Sequence, residues 1–185
     1  GCFLAVDFFL FFVFFEFMLL PMYFLIGIWG GENRAYASLK FFIYTFAGSV
    51  LILVVMICMA ISHQDEFFTS EYARLVYSFD FRTLKDNTNL LDSSILNIKN
   101  PVLIWGLPAR DCMFLLLLIG FGIKMPVVPF HTWLPDAHVE APTPVSVILA
   151  GILLKIGGYG IIRVAYQVLP DVAEKYAVLI GALGL

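Results

Sequence analysis

Two lysines lie inside long apolar runs of this chain, and they limit what it can fold into. The stretch from Asp111 to Val164 places Lys124 within one apolar run and Lys155 within the next. An ammonium group near the middle of a lipid bilayer costs roughly 2.5–3.5 kcal/mol on insertion scales. A lysine at that depth therefore needs a partner, a water-filled cavity or a functional task, and two such lysines indicate a pathway for charge.

The composition defines the class of protein before any motif does. Of the 185 residues, 61% are hydrophobic and only 14% are charged, which a soluble domain could not keep off its surface. The formal net charge of −3 gives no indication of nucleic-acid binding. The cysteines at positions 2, 58 and 112 form no CxxC spacing, and we expect them to be small apolar fillers. Because the chain begins with Gly and stops inside an apolar run at Leu185, we expect it to be a fragment of a longer protein.

The long apolar runs predict membrane-spanning segments. These cover about residues 8–29, 40–61, 112–130 and 143–165, with the start of a fifth span at 171–185. Residues 62–110 are polar and predict an extramembrane loop whose charges form a solvated face. In this loop we expect a short helix at Glu71–Tyr77 and a surface segment at Asn97–Leu107, with Trp105 at the level of the lipid headgroups. The predicted fold class is all-α, a polytopic membrane helix bundle.

Glu16 lies inside the first predicted span. It follows Asp7, at the starting interface, by nine residues, which places it roughly 14 Å deeper along a helix. Pro21 removes the amide that would bond to the carbonyl of Phe17, so an unsatisfied acceptor is expected in the same region. A protonated glutamate bonded to a neighbouring helix is the structural alternative, and we favour a functional role.

Lys124 lies where the third predicted span should be interrupted. Pro126 and Pro129 remove two amide donors just after it, leaving the carbonyls one turn earlier without helical partners, so we predict a break between Gly122 and Phe130. A broken helix is tolerated at membrane depth only where it is buried in protein or lines water. The alternative is a kinked anchor with a snorkelling lysine.

The segment after the break, PFHTWLPDAHVEAP, is too polar and too proline-rich to continue a span. His131 is seven residues beyond Lys124, so it would lie on about the same face if helical geometry resumed. Because histidine titrates near neutral pH, His131 is a candidate proton relay. We expect no metal site at His131 and His138, since their spacing lacks a recognisable ligand set.

Lys155 is again near the middle of a predicted span, in a helix that begins at Thr143 and Pro144. Gly151 and Gly158 lie about one turn from it on either side, which leaves room for water or another backbone. We therefore expect Lys155 to face the interior of the bundle.

A long segment of the chain resembles a known family. The residues KMPVVPFHTWLPDAHVEAPTPVSVILAGILLKIGGYGIIR look like the signature of NADH dehydrogenase subunit 4, the antiporter-like membrane subunit of respiratory complex I. The residues FFEFMLLPMYFLIGIWG, followed by KFFIYTFAGS, resemble earlier helices of that family in the same order, and LLKIGGYG favours it over the related subunits 2 and 5. The resemblance covers nearly the whole chain. It implies an antiporter-like fold of inverted five-helix repeats, each with a half-channel around a broken helix. This chain would hold most of the first repeat and the start of the second.

The resemblance also implies roles for particular residues. It maps Glu16 onto the family's ion-pair glutamate, Lys124 onto its broken-helix lysine and Lys155 onto the lysine of the following helix. The implied function is proton translocation by a membrane-arm subunit of NADH:ubiquinone oxidoreductase, an enzyme complex in which this chain would carry no redox centre. Because the chain has no Rossmann glycine pattern, cysteine cluster or haem motif, we expect NADH, FMN, iron–sulfur clusters and quinone to belong to partner subunits.

The resemblance further implies where the chain works and with what. The expected partners are other membrane-arm subunits of complex I, including neighbouring antiporter-like subunits, and the lipid bilayer, with no nucleic acid. The implied location is the mitochondrial inner membrane, with the bacterial inner membrane as the alternative. Two other functions stay open: a subunit of a stand-alone multi-subunit cation/proton antiporter, and a non-pumping scaffold in which Glu16, Lys124 and Lys155 would tolerate neutral substitution.

Overall fold

The computed structural model describes residues 1–63, 77–98, 101–104 and 106–184. Residues 71–76 of the short helix predicted in the loop, and the side chain of Trp105, lie outside the described residues. Over these ranges the chain folds into an all-α helix bundle with a small two-stranded hairpin. The helices used below are α1 Phe8–Phe17, α2 Leu19–Trp29, α3 Arg34–Ser62, α4 Phe81–Lys85, α5 Ala109–Lys124, α6 Trp133–Glu140, α7 Thr143–Ile148, α8 Leu154–Gly160, α9 Pro170–Lys175 and α10 Ala177–Leu183.

The first predicted span is divided into two helices. The carboxylate of Asp7 accepts a 2.9 Å hydrogen bond from the amide of Leu10 and so caps the start of α1. A turn at Met18 separates α1 from α2, one turn before Pro21, whose missing amide interrupts helical bonding at this point. Together the two helices form an apolar segment of 22 residues, long enough to cross a bilayer.

Helix α3 is the central element of the bundle. Its 29 residues span about 43 Å, and it begins at Arg34, six residues before the predicted start. It packs on α1, α2, α5 and α6. The buried Gly48 lets α5 approach closely, because a side chain there would collide with the carbonyl oxygen of Gly120.

The loop after α3 contributes to the core as well as to the surface. The amide of Phe81 donates to the carbonyl of Val6, and the amide of Phe8 donates to the carbonyl of Phe79. Phe81, Leu84 and Leu96 are buried against the ends of the spanning helices. The expectation of a solvated face therefore fits the exposed charges of the loop but not its buried apolar side chains, which close one end of the bundle.

The predicted surface segment after this loop contains a short hairpin. Strands β1 Leu103–Ile104 and β2 Leu107–Pro108 pair antiparallel. The turn between them includes Gly106 with a φ of +82°, a conformation that glycine adopts without steric cost.

The third predicted span ends at Lys124, as the two prolines indicate. Helix α5 has 16 residues and begins at Ala109, three residues before the predicted start. The sequence predicted that the carbonyl of Gly122 would lack its helical partner. The amide of Val127 donates a 2.8 Å hydrogen bond to this carbonyl and so replaces that partner. The chain continues without a helix to the 3₁₀ turn Phe130–Thr132 and then forms α6.

The fourth span is a helix of 24 residues, Thr143–Tyr166. It consists of α7 and α8, each followed by a π-helical segment, at Leu149–Leu153 and Ile161–Tyr166. Among the described residues, this helix, the α1–α2 segment and α3 are long and apolar enough to cross a membrane. Helices α9 and α10 follow it and are separated by a turn at Tyr176.

Candidate functional site

Glu16 and Lys124 meet where two interrupted helices pack together. Glu16 is the penultimate residue of α1, and Lys124 is the last residue of α5. The Nζ atom of Lys124 lies 4.0 Å from Oε1 of Glu16. This distance is at the outer limit for an ion pair and too long for a direct hydrogen bond. The structure therefore brings together two residues that are 108 positions apart in the chain.

The two partners differ in their surroundings. Lys124 is 2% exposed, whereas the side chain of Glu16 is 23% exposed. Oε1 of Glu16 is buried and accepts no hydrogen bond within the described part of the chain. Burial destabilises a charged ammonium and a nearby carboxylate stabilises it, so the protonation of Lys124 depends on where the carboxylate of Glu16 lies.

An aromatic ring forms the second contact of the lysine. The Nζ atom of Lys124 lies 4.3 Å from the centroid of the Phe15 ring, within the range of a cation–π interaction. Phe15 is 1% exposed and packs between the rings of Phe11, at 5.6 Å, and Phe121, at 5.7 Å. The ammonium thus lies against two consecutive residues of α1, one charged and one aromatic.

Trp133 stabilises the end of α5. Its indole Nε1 donates a 2.8 Å hydrogen bond to the carbonyl of Ile123, and its side chain is fully buried. The last carbonyls of a helix have no partner within the helix, so this bond satisfies one of them directly beside Lys124. Sequence reasoning missed this role. The only signal was an expectation that the carbonyls exposed by a broken helix need donors from elsewhere.

An apolar cavity borders the break. Its volume is about 390 Å³, and its lining includes Leu118, Ile119, Val127 and Phe130. The break is therefore lined by apolar side chains at this cavity.

Lys155 does not join the pair. It is exposed on the outer side of the Thr143–Tyr166 helix, next to the exposed Gly151 and Ile152. The expectation that Lys155 faces the interior of this bundle is therefore wrong for the described residues. The reason is the helical register: Ile156, Gly157 and Gly160 are the buried positions, and Gly157 lies against the backbone of α5. A part for Lys155 in a proton path stays a prediction.

His131 is also separate from Lys124. It lies exposed in the 3₁₀ turn Phe130–Thr132. The seven-residue helical step that would have placed it on the face of Lys124 does not apply, because α5 ends at Lys124. His138 instead forms a hydrogen bond with the hydroxyl of Ser146, which joins α6 to α7. Within the described ranges, no group of three or more His, Cys, Asp or Glu side chains could hold a metal ion.

Three further ion pairs fix the helices around the site, and the sequence did not predict them. Lys40 of α3 binds Asp136 of α6 at 2.6 Å. Helix α5 is joined to α9 by two pairs of opposite polarity, Arg110 with Asp171 and Asp111 with Lys175. The Lys40–Asp136 pair holds the segment after the break, and the two pairs between α5 and α9 hold the start of the broken helix.

Comparison with known proteins assigns the chain to a family of membrane subunits. Residues 5–185 match the family described as "NADH:quinone oxidoreductase/Mrp antiporter, TM". The chain is 44% identical over 182 residues to NADH-quinone oxidoreductase subunit M of Rickettsia prowazekii, covering 97% of this chain and 31% of that protein. It is 42% identical over 185 residues to an NAD(P)H-quinone oxidoreductase chain 4 of Picosynechococcus, covering 100% and 30%.

A solved structure of a related protein has a similar fold. A chain of respiratory complex I from Thermus thermophilus, solved with bound NADH, superimposes with a TM-score of 0.70 at 27% identity, covering 97% of this chain and 32% of that one. The chain thus spans about a third of the length of the relatives that it matches.

Proposed function

Because this chain belongs to the family of NADH:quinone oxidoreductase and Mrp antiporter membrane subunits, we propose that it is part of a proton-translocating membrane-arm subunit of NADH:ubiquinone oxidoreductase. The relatives that support this assignment carry the names NADH-quinone oxidoreductase subunit M and chain 4.

The observation that carries the proposal is the Glu16–Lys124 pair. A buried lysine at the end of a broken helix, 4.0 Å from a carboxylate of another helix, can hold or release a proton according to the distance between them. A purely structural helix bundle has no need of such a pair, because a charge inside a membrane is costly. This argues against the non-pumping scaffold.

Proton transfer at this pair depends on two opposing effects. With the pair closed, the carboxylate of Glu16 stabilises the ammonium and keeps the proton on Lys124. When the two groups separate, burial favours the neutral amine, and the proton leaves toward Lys155 or toward an internal acceptor. The non-helical residues 125–129 after Lys124 are the mobile element of this mechanism. Because coupling between two sites is reciprocal, loss of the proton weakens the pair in turn.

The energy for transport would come from redox chemistry elsewhere in the complex. We assign NADH, FMN, the iron–sulfur clusters and quinone to partner subunits. Neighbouring antiporter-like subunits are further partners of this one. The chain would lie in the mitochondrial inner membrane, or in the bacterial inner membrane if the gene is bacterial. The named relatives include bacterial proteins.

The test is the Lys124→Ala variant of the full-length subunit in an assembled complex. We expect proton pumping driven by NADH oxidation to fall strongly while assembly, followed by native gel electrophoresis, is retained. Lys85→Ala is the matched control, because Lys85 is an exposed lysine of the loop. Normal pumping in the assembled Lys124→Ala complex would contradict the proposal. A purified complex that exchanges cations for protons without NADH oxidation would establish the stand-alone antiporter instead.

A further inference from the structure

We propose that Phe15 is a positioning residue for Lys124: the π face of its ring holds the ammonium in place when the carboxylate of Glu16 moves away. This inference rests on the proposed function of Lys124 as a proton carrier. It assigns a task to a residue that, by composition alone, is one phenylalanine among 19.

The ring is placed for this task by the packing around it. It lies 4.3 Å from Nζ of Lys124, well within the roughly 6 Å limit of a cation–π contact. Its plane is fixed by Phe11, which stacks on it at an interplanar angle of 29°, and by Phe121, which meets it edge-on at 83°. Phe121 is itself held against Gly160, where any added side chain would collide with its ring. The π face therefore cannot turn away from the lysine without moving several buried residues.

The chemistry of the ring differs from that of the carboxylate in one respect. Both groups stabilise a positive charge, but an aromatic ring cannot accept a proton. If Glu16 were the only partner, opening the ion pair would leave the ammonium of Lys124 buried without any stabilising contact. With Phe15 beside it, the ammonium keeps one contact until an acceptor takes the proton. These two consecutive residues of α1 therefore have different tasks. Glu16 regulates the charge of Lys124, and Phe15 holds the ammonium in position.

The alternative role for Phe15 is packing alone, because its ring also fills space between α1 and α5. Substitution by progressively fluorinated phenylalanines separates the two roles. Fluorine withdraws electron density from the π face and weakens cation–π contacts, while the shape of the ring changes little. The substitutions are made in the full-length subunit of an assembled complex, and the readout is proton pumping per assembled complex.

We expect pumping to fall stepwise with each added fluorine at Phe15. Phe15→Leu, which fills much of the space but has no π face, should lower pumping by about threefold or more. The matched control is the same fluorinated series at Phe114, a fully buried ring of α5 that stacks on Tyr176 and not on Lys124.

Two results would overturn the inference: equal pumping across the fluorinated series at Phe15, or an equal fall in the series at Phe114. The failure of this inference can be distinguished from that of the proposed function. If the fluorinated series has no effect while Lys124→Ala abolishes pumping, only the role of Phe15 is wrong. If Lys124→Ala pumps normally, the proposed function is wrong as well.

Discussion

Gly48 of α3 and Gly120 of α5 are in such close contact that a methyl group on either would collide with the other helix. A Cβ atom at Gly120 would lie 2.8 Å from the carbonyl oxygen of Gly48 and 2.7 Å from Cγ1 of Ile52. Gly120 is one turn before Lys124, so this contact sets the position of the lysine relative to α3. The bundle therefore holds the end of the broken helix by backbone contact as well as by side chains.

Gly120→Ala should push α5 away from α3, because the added Cβ would lie only 2.8 Å from the backbone oxygen of Gly48, which cannot move aside as a side chain can. We expect a loss of stability of about 1–3 kcal/mol, as is usual for an overpacked core, together with reduced pumping. The control is Gly181→Ala, since no atom lies within 4 Å of a Cβ at that position. Thermal unfolding of the solubilised complex measures the difference, and unchanged unfolding of Gly120→Ala would show that the two helices are not in close contact.

Glu16→Gln should reduce coupled pumping with little effect on assembly. The substitution keeps the shape of the side chain but removes the charge that stabilises the ammonium of Lys124 at 4.0 Å. Because the carboxylate is partly exposed, we expect about 1–2 kcal/mol of lost interaction, or roughly a tenfold effect on proton retention. Glu16→Asp should keep part of the activity despite its shorter reach.

The measurement for Glu16 is proton pumping and NADH:quinone activity in assembled complexes. Glu32→Gln serves as the control, because Glu32 is an exposed acid in the connection after α2. Normal rates for Glu16→Gln would rule out a charge switch. Equal losses from the Gln and Asp variants would mean that geometry, and not charge, is required.

The sequence predicted those features that depend on local chemistry. Apolar runs indicated the long helices, and the prolines after Lys124 indicated that α5 ends there. The depth of Glu16 and Lys124 marked each as unusual, but only the resemblance to a family joined them into a pair. Nothing in the periodicity of α1 or α5 determines which of their faces meet, since that depends on packing between residues 108 positions apart.

The predictions from the sequence were wrong where they depended on where a helix ends or on which of its faces packs inward. His131 was related to Lys124 by a seven-residue step, but α5 ends between them. Lys155 was expected to face inward because of its flanking glycines, whereas the glycines that pack inward are Gly157 and Gly160. Arg110 was taken as part of the loop, yet it is 6% exposed because Asp171 binds it from another helix.

Trp133→Phe should destabilise the broken end of α5. The variant removes the donor to the carbonyl of Ile123 and leaves that carbonyl buried without its 2.8 Å bond. We expect a cost of about 1–3 kcal/mol, the usual range for a buried polar group left without a partner. Trp29→Phe is the control, because Trp29 is 64% exposed. If the two variants unfold at the same temperature, the indole bond does not stabilise the break.

The last prediction concerns the unequal burial of the two partners in the Arg110–Asp171 pair. The side chain of Arg110 is 7% exposed and that of Asp171 is 48% exposed. Asp171→Ala leaves a buried guanidinium without the carboxylate that holds it through two hydrogen bonds, of 2.6 and 3.1 Å. Arg110→Met leaves only a carboxylate that water can reach, and its side chain still fills apolar space. We therefore expect Asp171→Ala to cost about 2–3 kcal/mol and Arg110→Met about 1 kcal/mol.

The double variant Arg110→Met/Asp171→Ala decides whether unpaired charge is the cause. It removes the buried charge together with its partner, so it should be more stable than Asp171→Ala alone, and thermal unfolding of the three solubilised complexes measures the order. If the costs of the single variants simply add in the double variant, the two residues do not interact. If Arg110→Met is instead the most destabilising variant, Arg110 contributes through the packing of its side chain and not through its charge, because the methionine would then have failed to replace those packing contacts.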